Sequence, residues 1–142
     1  MPFPVECSVI AGLSARIFPR TLAGVATDRR QLGIQAEERA AQHVRQHGYE
    51  IVARNFRCRT GELDIVAKRG QLLLIIEVRL RSSADFGGAA ASITVRKRAR
   101  IVRATRYLLT RQPALAALTM RFDTLLLSGP EGPVDWIEDA FR

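Results

Sequence analysis

Cysteine is scarce in this chain. Cys7 and Cys58 are the only two among 142 residues. Neither stands in a CxxC pair, so no zinc site or disulfide framework is indicated, and a reducing cytoplasm is the expected setting. Long apolar runs are missing as well: none approaches the roughly 20 residues that cross a bilayer, and no membrane partner is expected. The apolar stretch Cys7 to Ala15 follows Glu6 and precedes Arg16 and Arg20, the wrong polarity for a secretion signal. The only histidines are His43 and His47. Their i, i+4 spacing suits a metal, but the glutamate of an HExxH motif is absent between them, so they read as surface histidines.

Acidic residues are in deficit. The chain carries 22 Lys and Arg against 14 Asp and Glu, a net charge of +8. Such a balance favours a polyanionic partner, nucleic acid or an acidic membrane surface, and the prevalence of arginine suits bidentate phosphate contacts. Nucleic acid, with DNA in first place, is the expected partner. The imbalance peaks from Ile93 to Arg111, with seven basic residues and no acidic one. Thr94 is placed to cap a helix over residues 95–110. On a helical wheel Val95, Ala99, Val102 and Leu109 make its buried side, and Arg96, Arg100, Arg103 and Tyr107 line the opposite side. Lys97 falls at the edge of the buried arc, where it can approach whatever lies beneath. A solvated face is the usual explanation for surface charge; the lack of a balancing glutamate favours nucleic acid.

The length allows one domain with a real core and is too short for two. Residues 1–30, with Pro2, Pro4 and Pro19 and no clear periodicity, read as a poorly ordered extension; residues 31–142 form the domain. From Gly33 to His47 the residues Ala36, Ala40, Ala41 and Val44 recur at helical spacing, and Gly48 closes the segment. Glu37 lies on that same face, so its carboxylate turns inward, toward a site or an arginine partner. A strand follows over residues 49–56. Ser82 to Ala91 reads as a loop, and Arg121 to Leu127 pairs with a short strand over residues 133–137. This order of elements gives an α/β domain with a central mixed β-sheet flanked by helices.

Between these elements Gly61 to Arg81 reads as a β-hairpin carrying carboxylates into an apolar setting. The first arm alternates from Glu62 through Asp64 to Ala67, as a half-buried strand does. The second arm is a continuous apolar run that ends Glu77-Val78-Arg79, and a carboxylate there is costly unless paired. With Arg69-Gly70 as the two-residue loop, Asp64 stands opposite Ile75 and Glu62 opposite Glu77. All three carboxylates then share one face, with Asp64 and Glu77 diagonal neighbours that a cation can bridge. A connection one residue longer or shorter would separate them.

Gly61-Glu62-x-Asp64 followed by Glu77-x-Arg79 resembles the D…(D/E)-x-K signature of restriction-endonuclease-like nucleases. A longer series is similar to the YraN family of uncharacterised bacterial proteins, assigned to that fold. In order, it comprises Ala36-Glu37-x-x-Ala40, Gly48-Tyr49, Arg54-Asn55, Gly61-Glu62-x-Asp64, Glu77-Val78, Phe86-Gly87, Lys97, Arg121-Phe122-Asp123 and Asp139-Ala140-Phe141. The resemblance implies a restriction-endonuclease-like core and a Mg²⁺- or Mn²⁺-dependent endonuclease acting on DNA phosphodiesters, branched or structured DNA being one candidate. It implies Asp64, Glu77 and Glu62 as metal ligands, with Glu37, Asp64, Glu77 and Arg79 around the chemistry. Arg81, Arg96, Lys97, Arg100 and Arg103 are the expected nucleic-acid contacts. Two positions depart from the pattern, Ala36 for glycine and Arg79 for lysine. Because an arginine keeps its proton, the second departure supports an alternative, a catalytically impaired nucleic-acid-binding module of the same fold.

Overall fold

The apolar run of residues 72–76 belongs to an interior strand whose two faces are covered by two different helices. In the computed structural model, which describes residues 23–81 and 93–142, with side chains from Asp28 onward, the elements are α1 (Ala23–Gln46), β1 (Glu50–Cys58), β2 (Gly61–Arg69), β3 (Leu72–Leu80), α2 (Val95–Arg111), α3 (Pro113–Ala116), β4 (Thr119–Leu127) and β5 (Val134–Phe141). The sheet runs in the order β1-β2-β3-β4-β5. All neighbours are antiparallel except β3 and β4, whose parallel pairing requires the crossover that α2 and α3 supply. The expected α/β architecture is present, and its mixed sheet is compatible with a restriction-endonuclease-like core.

Alternation along β3 separates two cores. Leu74 and Ile76, with Ile65, Ala67, Leu125 and Leu127, pack against Ala36, Ala40, Ala41 and Val44 of α1. Leu73 and Ile75, with Val66 and Phe122, pack against Ile101, Ala104 and Leu108 of α2. Each fully buried Leu or Ile contributes roughly 2–3 kcal/mol by leaving water, so both helices are held by the same strands from opposite sides. In β2 the alternation breaks at Asp64: Leu63 joins the α2 core although Ile65 and Ala67 belong to the α1 core. The adjoining strand is irregular at the same level. Asn55, between the pairs Arg54↔Ile65 and Phe56↔Leu63, takes a left-handed φ of 50°.

Three expectations are corrected. The hairpin loop is Gly70-Gln71, not Arg69-Gly70, since Arg69 pairs with Leu72 and Lys68 with Leu73; Gly70 supplies the positive φ of 56° that the turn needs. The helix expected from Gly33 begins ten residues earlier, at Ala23. Among its described side chains, Asp28 to Leu32 and Ile34 are all exposed, so no apolar periodicity marks that stretch. On α2 the buried stripe is Ile101, Ala104, Thr105 and Leu108, at i, i+3, i+4 and i+7, while Val95 is 82% exposed. Ala99, Val102 and Leu109 are half-buried at its edges. The expected Thr94 cap is present: its hydroxyl accepts the Lys97 N–H at 3.2 Å. The Ser82 to Ala91 loop, the Phe86-Gly87 piece and Cys7 lie outside the described residues.

Gly61 fixes how closely α2 seats on the sheet. A Cβ at Gly61 would stand 2.7 Å from the Arg100 carbonyl oxygen, closer than van der Waals contact permits. The glycine at the start of β2 therefore lets the middle of α2 lie directly on the hairpin.

Candidate functional site

The β2–β3 ladder ends at the pair Ile65↔Ile76. One step further Asp64 comes opposite Glu77, and there a side chain replaces the backbone: Asp64 Oδ2 accepts the Val78 N–H at 2.8 Å. The expected register was diagonal; the real one is direct, because the loop is displaced along the chain by one residue. That changes the sum of paired residue numbers by two, so parity, and with it the shared face, survives.

Burial and the neighbouring charge of Glu77 push the Asp64 carboxyl up to about 7, although the Val78 N–H and Lys97 favour its ionised form. Two carboxylates in a nearly dry setting cannot both ionise cheaply. Lys97 offsets part of that cost. Its Nζ lies 3.2 Å from Glu77 Oε1, where the Glu77 side chain is only 10% exposed, and 3.9 Å from Glu62 Oε1. Lys97 sits one turn before Ile101 on the buried stripe of α2, so the helix aims it at the sheet. Glu62 is more exposed and is shared with Arg57 at 3.5 Å.

The parallel ladder brings Thr124 of β4 beside Glu77. Thr124 is fully buried, and its hydroxyl has no hydrogen-bond partner in the structure. Only the pairing across the crossover reveals this residue; nothing in its local sequence marks it. Arg79 lines, with Glu77, Ile93, Thr94 and Lys97, an open cavity of about 220 Å³. Glu37 is half-buried on α1, the helix that packs on the opposite face from Lys97.

Arg96, Arg100 and Arg103 are exposed on the outer side of α2, and no ion pair to any of them is found among the described residues. Tyr107 stands beside them with its ring 6.2 Å from Phe56, and Arg111 packs over it at 5.5 Å. Arg81, at the far end of β3, pairs with Asp135 of β5 at 3.2 Å, which offsets its charge.

Asp123 is fully buried and fully used. Arg121 grips it with two bonds of 2.8 Å, Trp136 Nε1 donates to it at 2.8 Å and the Asp139 N–H at 3.0 Å. Asp139 takes a left-handed φ of 48° to do so. The Arg121-Phe122-Asp123 and Asp139-Ala140-Phe141 pieces thus lock β4 to β5.

Among the described residues no three His, Cys, Asp or Glu side chains converge into a ready ligand set, and Glu62, expected as a third ligand, is held by Arg57 and Lys97 instead. The remaining donors still fit a hard divalent cation. Mg²⁺ is commonly bound through one or two carboxylates and keeps several waters. Asp64 and Glu77 share a single nearby ammonium, Lys97, that only partly offsets their charge, and the orphaned Thr124 hydroxyl beside Glu77 is a buried polar group wanting a partner.

The chain was compared with known proteins. The model described as "Uncharacterised protein family UPF0102" matches residues 36–127. A UPF0102 protein of Xanthomonas campestris pv. campestris is 46% identical over 114 residues, covering 80% of this chain and 93% of the relative. Another, from Dechloromonas aromatica, is 46% identical over 109 residues, 77% of this chain and 87% of the relative. A third, from Methylobacillus flagellatus, is 42% identical over 113 residues, 79% and 97% respectively. The matched span contains Asp64, Glu77, Lys97 and Thr124.

Proposed function

The chain belongs to the UPF0102 family, as the YraN-like resemblance implied, and from its carboxylate pair we propose that it is a divalent-metal-dependent endonuclease acting on DNA phosphodiesters. The observation that carries this reading is the direct opposition of Asp64 and Glu77, with the Asp64 carboxyl driven up to about 7 by burial and by Glu77. Strongly perturbed carboxyls in a cleft favour a functional site over a structural one. Asp64 and Glu77 hold Mg²⁺ or Mn²⁺. When bound, the ion supplies positive charge to the scissile phosphate and makes water easier to deprotonate. The Val78 N–H fixes the Asp64 carboxylate in place. Thr124 offers a hydrogen bond to water entering beside Glu77. Arg79 lines the cavity as a permanent cation but is no base at neutral pH. Outside it, Arg96, Arg100 and Arg103 bind backbone phosphates.

Cleavage of a panel of labelled duplex, single-stranded, flap and branched DNAs, with and without Mg²⁺ or Mn²⁺, tests the proposal. Metal-dependent products that Asp64→Asn and Glu77→Gln both eliminate are expected. The second reading, a binding module without cleavage, is favoured by one contact: the Lys97 to Glu77 pair satisfies the glutamate without a metal. Salt-sensitive DNA binding with no cleavage of any substrate would select it.

A further inference from the structure

Hydrolysis of a phosphodiester builds negative charge on the phosphate while the oxygen of water bonds to phosphorus. The bond from phosphorus to one ester oxygen breaks with its electron pair, and that oxygen leaves as an alcohol carrying a proton of the water. A site that does this needs a cation on the phosphate as well as the carboxylates. Two cationic side chains border the cavity at Glu77, Arg79 from β3 and Lys97 from α2. We infer that Lys97, contributed by the helix, is the catalytic cation of the site and acts on the scissile phosphate; the inference rests on the nuclease reading above.

Several observations single out Lys97. Its ammonium already lies 3.2 Å from Glu77 and 3.9 Å from Glu62, so it sits at the carboxylate pair rather than at the rim. Its backbone is fixed: Thr94 accepts its N–H, and the turn that follows is seated on Gly61 through Arg100. Its side chain is about one-third exposed, leaving a path from cavity to solvent. An ammonium has three donors about one axis, so one can stay on Glu77 while another turns to a phosphate oxygen. The helix that carries it also presents Arg96, Arg100 and Arg103 outward, so one rigid element both grips the strand and supplies the charge.

The test compares wild type, Lys97→Met, Lys97→Gln and the double variant Lys97→Met/Arg79→Lys. Each is measured for Mg²⁺-dependent cleavage, DNA binding in EDTA, and Mg²⁺ affinity by calorimetry without DNA. Lys97→Gln, one methylene shorter, keeps a neutral hydrogen-bond donor on the side facing Glu77, and melting in EDTA verifies that it folds. Both single variants are expected to cleave at least ~100-fold more slowly, the scale of losing one preorganised donor to a developing anion. Their Mg²⁺ affinity should rise severalfold, because the ammonium no longer competes for Glu77, so slower cleavage despite tighter metal binding separates loss of the cation from loss of the metal. The double variant, which returns a lysine to the strand beside Glu77, should regain at least ~10-fold of the loss. Cleavage by Lys97→Gln at the wild-type rate, or unchanged Mg²⁺ affinity, would overturn the assignment of Lys97 while leaving the nuclease reading standing. No cleavage of any substrate by wild type would overturn the nuclease reading and the catalytic part of Lys97 together.

Discussion

The Asp64 carboxylate accepts the backbone N–H of Val78 at 2.8 Å, closing with a side chain the ladder that β2 and β3 abandon one residue earlier. The bond holds Asp64 against Glu77, where burial and the Glu77 charge outweigh the N–H and raise the Asp64 carboxyl to about 7.

The first prediction is a stability profile in EDTA. The Asp64 pKa is raised from 3.8 to about 7 in the folded chain, so between those values the native state holds a proton that the unfolded state has released. Its contribution is fully present below about pH 4 and is lost as the pH rises through about 7. Attributable to this group, stability should fall by on the order of a few kcal/mol between pH 5 and pH 8. Asp64→Asn, which can still accept from Val78, should flatten that slope and be the more stable protein at pH 8. Parallel melting curves for the two proteins at both pH values would refute the raised pKa.

The second prediction concerns metal in the absence of nucleic acid. A cation that takes Asp64 and Glu77 competes with the retained proton, so Mg²⁺ should raise the melting temperature more at pH 8 than at pH 6. Glu77→Gln should remove the rise at both. A flat response to millimolar Mg²⁺ and Mn²⁺ in wild type would end the metal hypothesis.

Much of this site is legible in the sequence. Gly70 places the hairpin turn to within one residue, and both placements bring Asp64 close to Glu77 across β2 and β3, although the alternation of β2 breaks at Asp64 itself. The register itself was not legible: two-residue loops at Arg69-Gly70 and at Gly70-Gln71 have the same parity, and only packing chooses between them. On α2 the apolar Val95 points a helical wheel away from the true stripe, which passes through Thr105, a polar residue that periodicity does not count. Thr124 reaches Glu77 only through the parallel pairing of β3 with β4, and two partners of Asp123, Trp136 and Asp139, come from β5. Such relations depend on long-range register, which local patterns do not carry.

A third prediction separates fold from function at Asp123. Its carboxylate is buried and gripped by Arg121, Trp136 and the Asp139 N–H. Asp123→Ala leaves the Arg121 guanidinium and the Trp136 N–H without their acceptor and should cost ~3–5 kcal/mol in urea unfolding. The Mg²⁺ dependence of the folded fraction should survive. Near-wild-type stability would show that the β4–β5 lock is dispensable.

The fourth prediction uses Gly61. A methyl group there meets the Arg100 carbonyl at 2.7 Å, and both partners are backbone in paired elements, so the helix must lift. Gly61→Ala should destabilise the protein by ~1–3 kcal/mol, the usual cost of overpacking. Because the same helix carries Lys97, the lift should also weaken the Lys97 to Glu77 contact, so the variant should bind Mg²⁺ more tightly per folded molecule than wild type. Loss of stability with unchanged metal affinity would mean that α2 does not couple the two.

The last prediction concerns the outer face of α2. Arg96, Arg100 and Arg103 recur at i, i+4 and i+7, so they lie along one line of the helix, exposed and without an ion pair among the described residues. A duplex bound along that line neutralises one phosphate per arginine and releases the condensed counterions, so the logarithm of affinity should fall with the logarithm of salt by about 0.9 for each contact. Replacing all three by glutamine should therefore reduce the slope by up to about 2.7 and weaken binding similarly for unrelated sequences, since backbone contacts carry no base information. Lys97 points the other way, into the carboxylates, so Lys97→Gln should leave the slope within one contact of wild type while changing cleavage. If the triple variant keeps the wild-type slope, the arginines are a solvated face and DNA approaches from elsewhere. A slope that falls equally for Lys97→Gln would place Lys97 in the binding surface rather than at the chemistry.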